Sequence, residues 1–184
     1  MFIQTEDTPN PQTMKFLPSM QVVAAPMEFN NEEQAAVSPL AQSLFAIDGV
    51  QSVFLGQDFI SVTCVEGQDW SLLRPSVLQA IINHFMSDRP VLNEGGALST
   101  STATTESSGD VESQIRDLLD KRVRPAVAQD GGDVVFEKYE DGVVYLRLRG
   151  ACAGCPSATA TLKFGIEQML RHFIPEVQEV RRVG

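Results

Sequence analysis

The chain has 184 residues, 43% hydrophobic and 21% charged, with a formal net charge of -10, the proportions of a folded protein long enough for one large domain or two small ones. A chain this acidic gains nothing from counterion release on a nucleic-acid backbone and is repelled by anionic lipid, which sets aside nucleic acid and membrane as partners. The acidity is uneven: residues 1–109 carry 3 Lys/Arg against 12 Asp/Glu, net -9, and residues 110–184 carry 11 against 12, net -1.

In chain order, Met1-Phe2-Ile3-Gln4-Thr5-Glu6 opens as a strand and lacks the basic n-region of a signal peptide and the Arg-rich character of a transit peptide. No apolar run approaches the roughly 18 residues that span a bilayer. The expected compartment is the bacterial cytoplasm, or the mitochondrial matrix for a mature eukaryotic chain. Thr8-Pro9-Asn10-Pro11 keeps the next loop rigid and extended. Further strands are predicted near Met14–Leu17, Val50–Leu55 and Phe59–Val65, and helices over Pro39–Ile47 and Ser71–Met86. Ser38 can cap the first of these helices, with Pro39 at a position where a missing N–H costs nothing. Cys64 alternates with Ile60 and Val62, which makes it a buried core thiol rather than a metal ligand. Trp70 reads as a core staple. His84, and His172 further on, each stand alone without a second ligand at metal spacing.

From Asp88 to Gly109 apolar periodicity stops and Ser, Thr and Gly dominate, the composition of a flexible linker. The expected division is an N-terminal α+β domain over 1–87, a flexible linker over 88–109 and a C-terminal domain over 110–184. The last begins with a helix capped by Ser108 or Asp110, carrying Val111, Ile115, Leu118, Leu119 and Val127 at helical spacing and interrupted near its end by Pro125. Asp130-Gly131-Gly132-Asp133 is a turn between helix and strand; it lacks the Gly-Lys-Ser/Thr ending of a phosphate loop. Val134–Tyr139, Asp141-Gly142 and Val143–Arg149 form a β-hairpin signature. A second helix with an apolar stripe of Leu162, Ile166, Met169, Leu170 and Phe173 stops at Pro175, and Val177–Val183 closes as a strand. The order α-β-β-α-β makes the last two strands parallel and leaves a small mixed sheet with helices on one face.

Between the hairpin and that helix lies Cys152-Ala153-Gly154-Cys155-Pro156. An isolated C-x-x-C fits an iron-sulfur cluster, half a zinc site or a redox dithiol. Two thiolates satisfy neither a tetrahedral zinc nor a cluster, each of which takes about four protein ligands. A two-fold dimer supplies a second pair and closes the count at four sulfurs. Pro156 opens the following helix, whose N-terminus should direct free N–H groups at the sulfurs and lower both thiol pKa values. Small neighbours and a loop at a dimer face suggest an exposed site that gives its metal away readily. The same pair could instead serve an enzyme, a thiol-disulfide oxidoreductase, as attacking and resolving thiols. Arg122, Arg124, Arg147, Arg149, Lys163, Arg171, Arg181 and Arg182 read first as a solvated face.

The segments Leu118-Leu119-Asp120-Lys121-Arg122-Val123-Arg124-Pro125-Ala126-Val127-Ala128-Gln129-Asp130-Gly131-Gly132-Asp133 and Gly150-Ala151-Cys152-Ala153-Gly154-Cys155-Pro156-Ser157-Ala158-Thr159-Ala160-Thr161-Leu162-Lys163 resemble the NifU-like iron-sulfur cluster carriers called Nfu proteins. Met1–Glu6, Thr8-Pro9-Asn10-Pro11, Lys15-Phe16-Leu17-Pro18 and Ser38-Pro39-Leu40-Ala41 are similar to the N-terminal domain of the same family. Ala158 departs from it, standing where many members have a second serine. The resemblance implies a non-enzymatic scaffold or carrier in which Cys152 and Cys155 of two chains bind one shared 4Fe-4S cluster. It also implies a homodimer in the cluster-bound form, with upstream cluster donors and apo iron-sulfur clients as partners, the acidic N-terminal domain recognising them.

Overall fold

The structure, a computed structural model, describes residues 2–93, 110–154 and 156–183, with the side chains of 154 and 156–158 excepted. Met1, Gly184, Cys155 and residues 94–109 of the expected linker, Ser108 among them, lie outside the described residues. The chain divides into two compact units, Met1–Thr100 and Ser101–Gly184, each of α+β class as expected.

In the first unit β1 (Gln4–Asp7), β2 (Thr13–Leu17), β3 (Met27–Phe29), β4 (Val50–Leu55) and β5 (Ile60–Cys64) pair antiparallel in the order β1-β2-β5-β4-β3. The expected strands are present within a few residues. β3 and the helix α1 (Glu32–Ala35) were not expected, because three- and four-residue elements show no periodicity. What starts α1 is chemical: Asn31 Oδ1 accepts from Gln34 N at 2.8 Å, and Gln34 Oε1 reaches back to accept from Asn30 N at 2.9 Å. α2 (Pro39–Phe45) and α3 (Trp70–Met86) follow the prediction, with Ser38 and Asp69 as N-caps. Phe16, Phe29, Leu40, Leu44, Leu55, Ile60 and Ile81 are buried in the core. Trp70 packs against it with its ring 6.1 Å from Phe16, and Cys64 is buried, its thiol donating to the Gln12 carbonyl at 3.2 Å.

Val91–Asn93 pack back on this unit. Ser38 Oγ accepts from Ala41 N at 3.1 Å and donates to the Val91 carbonyl at 2.6 Å, while Asn93 N donates to the Val37 carbonyl at 2.9 Å. One buried hydroxyl thus starts a helix and anchors the segment that leaves the domain.

In the second unit α4 (Asp110–Leu118) passes through a π-helical turn (Leu119–Val123) into α5 (Arg124–Gln129). The turn explains how the helix survives Pro125. A proline clashes with the carbonyl four residues back; here the ladder has already widened, Arg124 N donating to the Leu119 carbonyl. The widening also serves the core. Side chains four apart drift by about 40° around an α-helix, and the π turn takes up that drift so that Ile115, Leu119, Val123 and Val127 are all buried. β6 (Gly132–Glu140) and β7 (Val143–Gly150) pair antiparallel around Asp141 and Gly142, and β8 (Glu179–Arg182) pairs parallel to β7. α7 (Pro156–Phe173) supplies Ile166 and Leu170 to the core. Ile174 takes the place expected for Phe173, which is 45% exposed under the Arg122 guanidinium. Val134, Val144, Leu146 and Leu148 meet the helices on one face of this mixed sheet.

Replacing Ser38 by Ala should cost about 2–3 kcal/mol, the sum of a lost cap and a stranded buried carbonyl. Urea unfolding followed by Trp70, the single tryptophan, measures it; a change under about 0.5 kcal/mol would contradict the anchoring role. His84 is buried with Nε2 lacking a partner among the described residues. Burial, and then the charge of Arg89, lower its pKa below the ordinary 6.5. Protons therefore prefer the unfolded chain, and the neutral ring's contribution is complete above 6.5 and lost as pH falls through the folded-state value. The Trp70 transition should weaken less steeply between about pH 7 and pH 5 in His84→Leu than in the parent chain; equal slopes would remove His84 from the account.

Candidate functional site

Two glycines bring the cysteine segment and the Asp130–Asp133 turn together. Gly131 and Gly150 both hold positive φ, 78° and 64°, a conformation that side chains disfavour, and Gly150 faces Gly132 in the strand register. The chain leaves β7 at Gly150 and coils at once into α6 (Ala151–Gly154). Ala151 N donates to the Gly131 carbonyl at 3.2 Å. Thr159 Oγ1, buried in the first turns of α7, donates to the Cys152 carbonyl at 2.9 Å.

Cys152 is 6% exposed and belongs to the core of the second unit. Its sulfur packs on the α-carbon of Gly132: a Cβ added there would stand 2.5 Å from Sγ and 3.0 Å from the Cys152 Cβ. Burial first, and then the charges of Asp130 and Asp133, push the thiol up to about 12. Both expectations for this residue are corrected. It lies in a buried helical turn rather than an exposed loop, and its pKa is raised rather than lowered, because desolvation beside two carboxylates outweighs any helix-dipole effect. Cys155 lies outside the described residues. Pro156 opens α7 as expected.

Asp133 is held by Arg124, with Nε to Oδ1 at 3.1 Å and Nη2 to Oδ2 at 3.3 Å, while Nη1 reaches Asp120 at 3.1 Å. Burial works against the Arg124 charge, but Asp133 and Asp120 more than offset it and raise its pKa. Asp130-Gly131-Gly132-Asp133 and Thr159 lie in the segments that carry the family resemblance but have no role legible in the sequence; the structure sets Gly132 and Thr159 against Cys152. Among the other cations, Arg147 pairs with Glu137 at 3.0 Å and Arg181 with Glu179 at 3.1 Å, as a solvated face requires. His172 is exposed. Among the described residues no three or more His, Cys, Asp or Glu are grouped to hold a metal ion, and no helix is long and apolar enough to cross a membrane.

A soft thiol donor sits here where a strand hands over to a helix, behind a screen of glycine. In this conformation it is buried, with burial, Asp130 and Asp133 all acting against its thiolate form, the form that binds a metal.

Residues 3–88 match the family model described as "Scaffold protein Nfu/NifU N terminal", and residues 115–181 match the "NifU-like domain". A Drosophila sechellia protein named "NFU1 iron-sulfur cluster scaffold homolog, mitochondrial" is 46% identical over all of this chain, which spans 65% of that relative's length. The Homo sapiens protein of the same name is also 46% identical over the whole chain, which covers 72% of it. A solution structure of a NifU-like protein from Saccharomyces cerevisiae is similar at 24% identity over 51% of this chain and 86% of that one, with a TM-score of 0.47. Matched in both halves and along its whole length, the chain belongs to the NifU-like family of the Nfu type.

Proposed function

We propose that the protein is a scaffold or carrier for an iron-sulfur cluster, its cargo, which two chains hold between them through Cys152 and Cys155 and pass to apo-proteins. The observation that carries this reading is the position of the cysteine pair within the stretch that matches the NifU-like domain; the relatives' names give the cargo class. The cluster we propose is 4Fe-4S, shared across a two-fold axis so that two thiolates per chain complete four. The domains follow the division 1–87, 88–109 and 110–184, with Val91–Asn93 at the start of the middle segment held against the first domain, and the acidic first domain favours basic surfaces on donors and clients. The compartment is a reducing one, the bacterial cytoplasm or, in line with the relatives' names, the mitochondrial matrix.

The donor set fits the cargo. Thiolates are the usual cluster ligands, and the segment that carries Cys152 is a single four-residue turn, cheap to rearrange. Once the thiol has lost its proton, iron binding holds the thiolate form. A dithiol-disulfide enzyme needs an attacking thiol already poised as thiolate near ambient pH, and a Cys152 pushed up to about 12 works against that role.

Anaerobic reconstitution with iron and sulfide should give a visible chromophore, a dimer on sizing, and about four irons and four sulfides for each pair of chains. Cys152→Ser and Cys155→Ser should each abolish it and Cys64→Ser should not. A colourless monomer would sink the reading, and a cluster retained in either of the first two variants would reject the ligand assignment.

A further inference from the structure

The position of Cys152 conflicts with the work asked of it. A metal needs to approach a thiolate to about 2.3 Å from an open side, and a Cys152 only 6% exposed, its sulfur packed on Gly132, offers little of one. Three features hold it there: the Thr159 hydroxyl on its own carbonyl, the Ala151 N–H on the Gly131 carbonyl, and the notch left by the missing Gly132 side chain. The notch is specific in a testable way. Gly132, unlike Gly131, does not have positive φ, so its backbone accepts a side chain. What a Cβ meets is the Cys152 sulfur at 2.5 Å and the Arg149 carbonyl at 2.8 Å. On the approach side, Gly150 at φ 64° gives α6 a pivot next to strand β7.

We propose that the Gly131–Gly132 turn is a sheath for Cys152, with Thr159 as the positioning residue that keeps it closed. In the metal-free chain the thiol is stowed against Gly132. In the cluster-bound chain α6 swings about Gly150, the Thr159 hydrogen bond opens, and the sulfur is presented. The proposal rests on the reading of Cys152 as a cluster ligand, but the stowed state is a property of the metal-free chain and is measurable without any cluster.

The test is alkylation by iodoacetamide of the metal-free, reduced full chain, with the Cys152 peptide quantified by mass spectrometry. Native Cys152 should react at least about tenfold more slowly than in the urea-unfolded chain. Thr159→Val should speed it about five- to tenfold, the population change expected from one hydrogen bond, whereas Thr159→Ser should keep the parent rate. Hydrogen exchange of β7 must stay at parent level in these variants. If Thr159→Val loosens β7 as well, a double-mutant cycle decides. Gly132→Ala should lower the urea midpoint of the parent chain more than that of Cys152→Ala, since the clash with the Arg149 carbonyl is common to both and only the sulfur differs. A Cys152 that reacts at the unfolded rate, a Thr159→Val rate equal to the parent's in a folded chain, or a cycle with no coupling would overturn the sheath. A chain that takes up cluster while its native Cys152 reacts freely keeps the function and loses the sheath; slow Cys152 with no chromophore does the reverse.

Discussion

Asp141 and Gly142 both hold positive φ, 50° and 80°, and this tight turn fixes the register of β6 against β7. From the turn outward Glu140 faces Val143 and Tyr139 faces Val144; an irregularity between Phe136 and Lys138 then shifts the pairing by one. Beyond it Gly132 stands opposite Gly150 rather than Ala151. Everything at the cysteine end depends on that residue of slip. It places two glycines face to face where the strands end, so the sulfur of Cys152 can lie on an α-carbon without displacing the sheet. A hairpin in simple register would have offered the Ala151 side chain to Gly132 and set Cys152 one step further round.

The helical layer is tied to the same spot by charge. Asp133 is buried at 6% exposure and fully engaged by Arg124, itself only partly covered, which is the arrangement in which a buried carboxylate is tolerated. Arg124, the first residue after the π turn, faces Asp133. Pro125, the wider ladder, the i+4 run of core side chains and the ion pair are thus one solution to one problem: a helix must keep its apolar face on the sheet while its C-terminal end reaches over the edge of β6. Asp133 also adds negative charge beside Cys152, which together with burial and Asp130 raises the thiol pKa.

Much of this was legible. The hairpin, the parallel third strand, the helix opened by Pro156 and the core roles of Cys64 and Trp70 follow from local chemistry that tertiary packing did not override. Phe173 has no signature of exposure in the sequence because its ring is covered by Arg122, 51 residues earlier in the chain. The state of Cys152 was misread for a deeper reason. The motif identifies a donor set, which is chemistry, whereas burial depends on where Gly132 lies, and that depends on a one-residue irregularity with no signature in the sequence. Counting outward from Asp141-Gly142 comes within one residue of the right pair, and one residue is the difference between a notch and a clash.

A stowed ligand also bears on why such a site suits cargo better than a resident cofactor. When only a fraction of chains present the thiol, apparent affinity is reduced by that fraction, and in a two-fold site the reduction applies once for each chain. In the proposed two-chain site, holding the cargo would require both turns to be open at once, and closure of either one would remove a ligand. A protein selected to keep a cluster for electron transfer would place its cysteines where no competing contact exists. Here Thr159, Ala151 and Gly132 each favour the covered state, so the metal-free chain has a definite structure to return to. In the proposed carrier, release would be favoured by a recovered hydrogen bond and a refilled core position, and the free energy that weakens the grip would be the same that stabilises the empty chain.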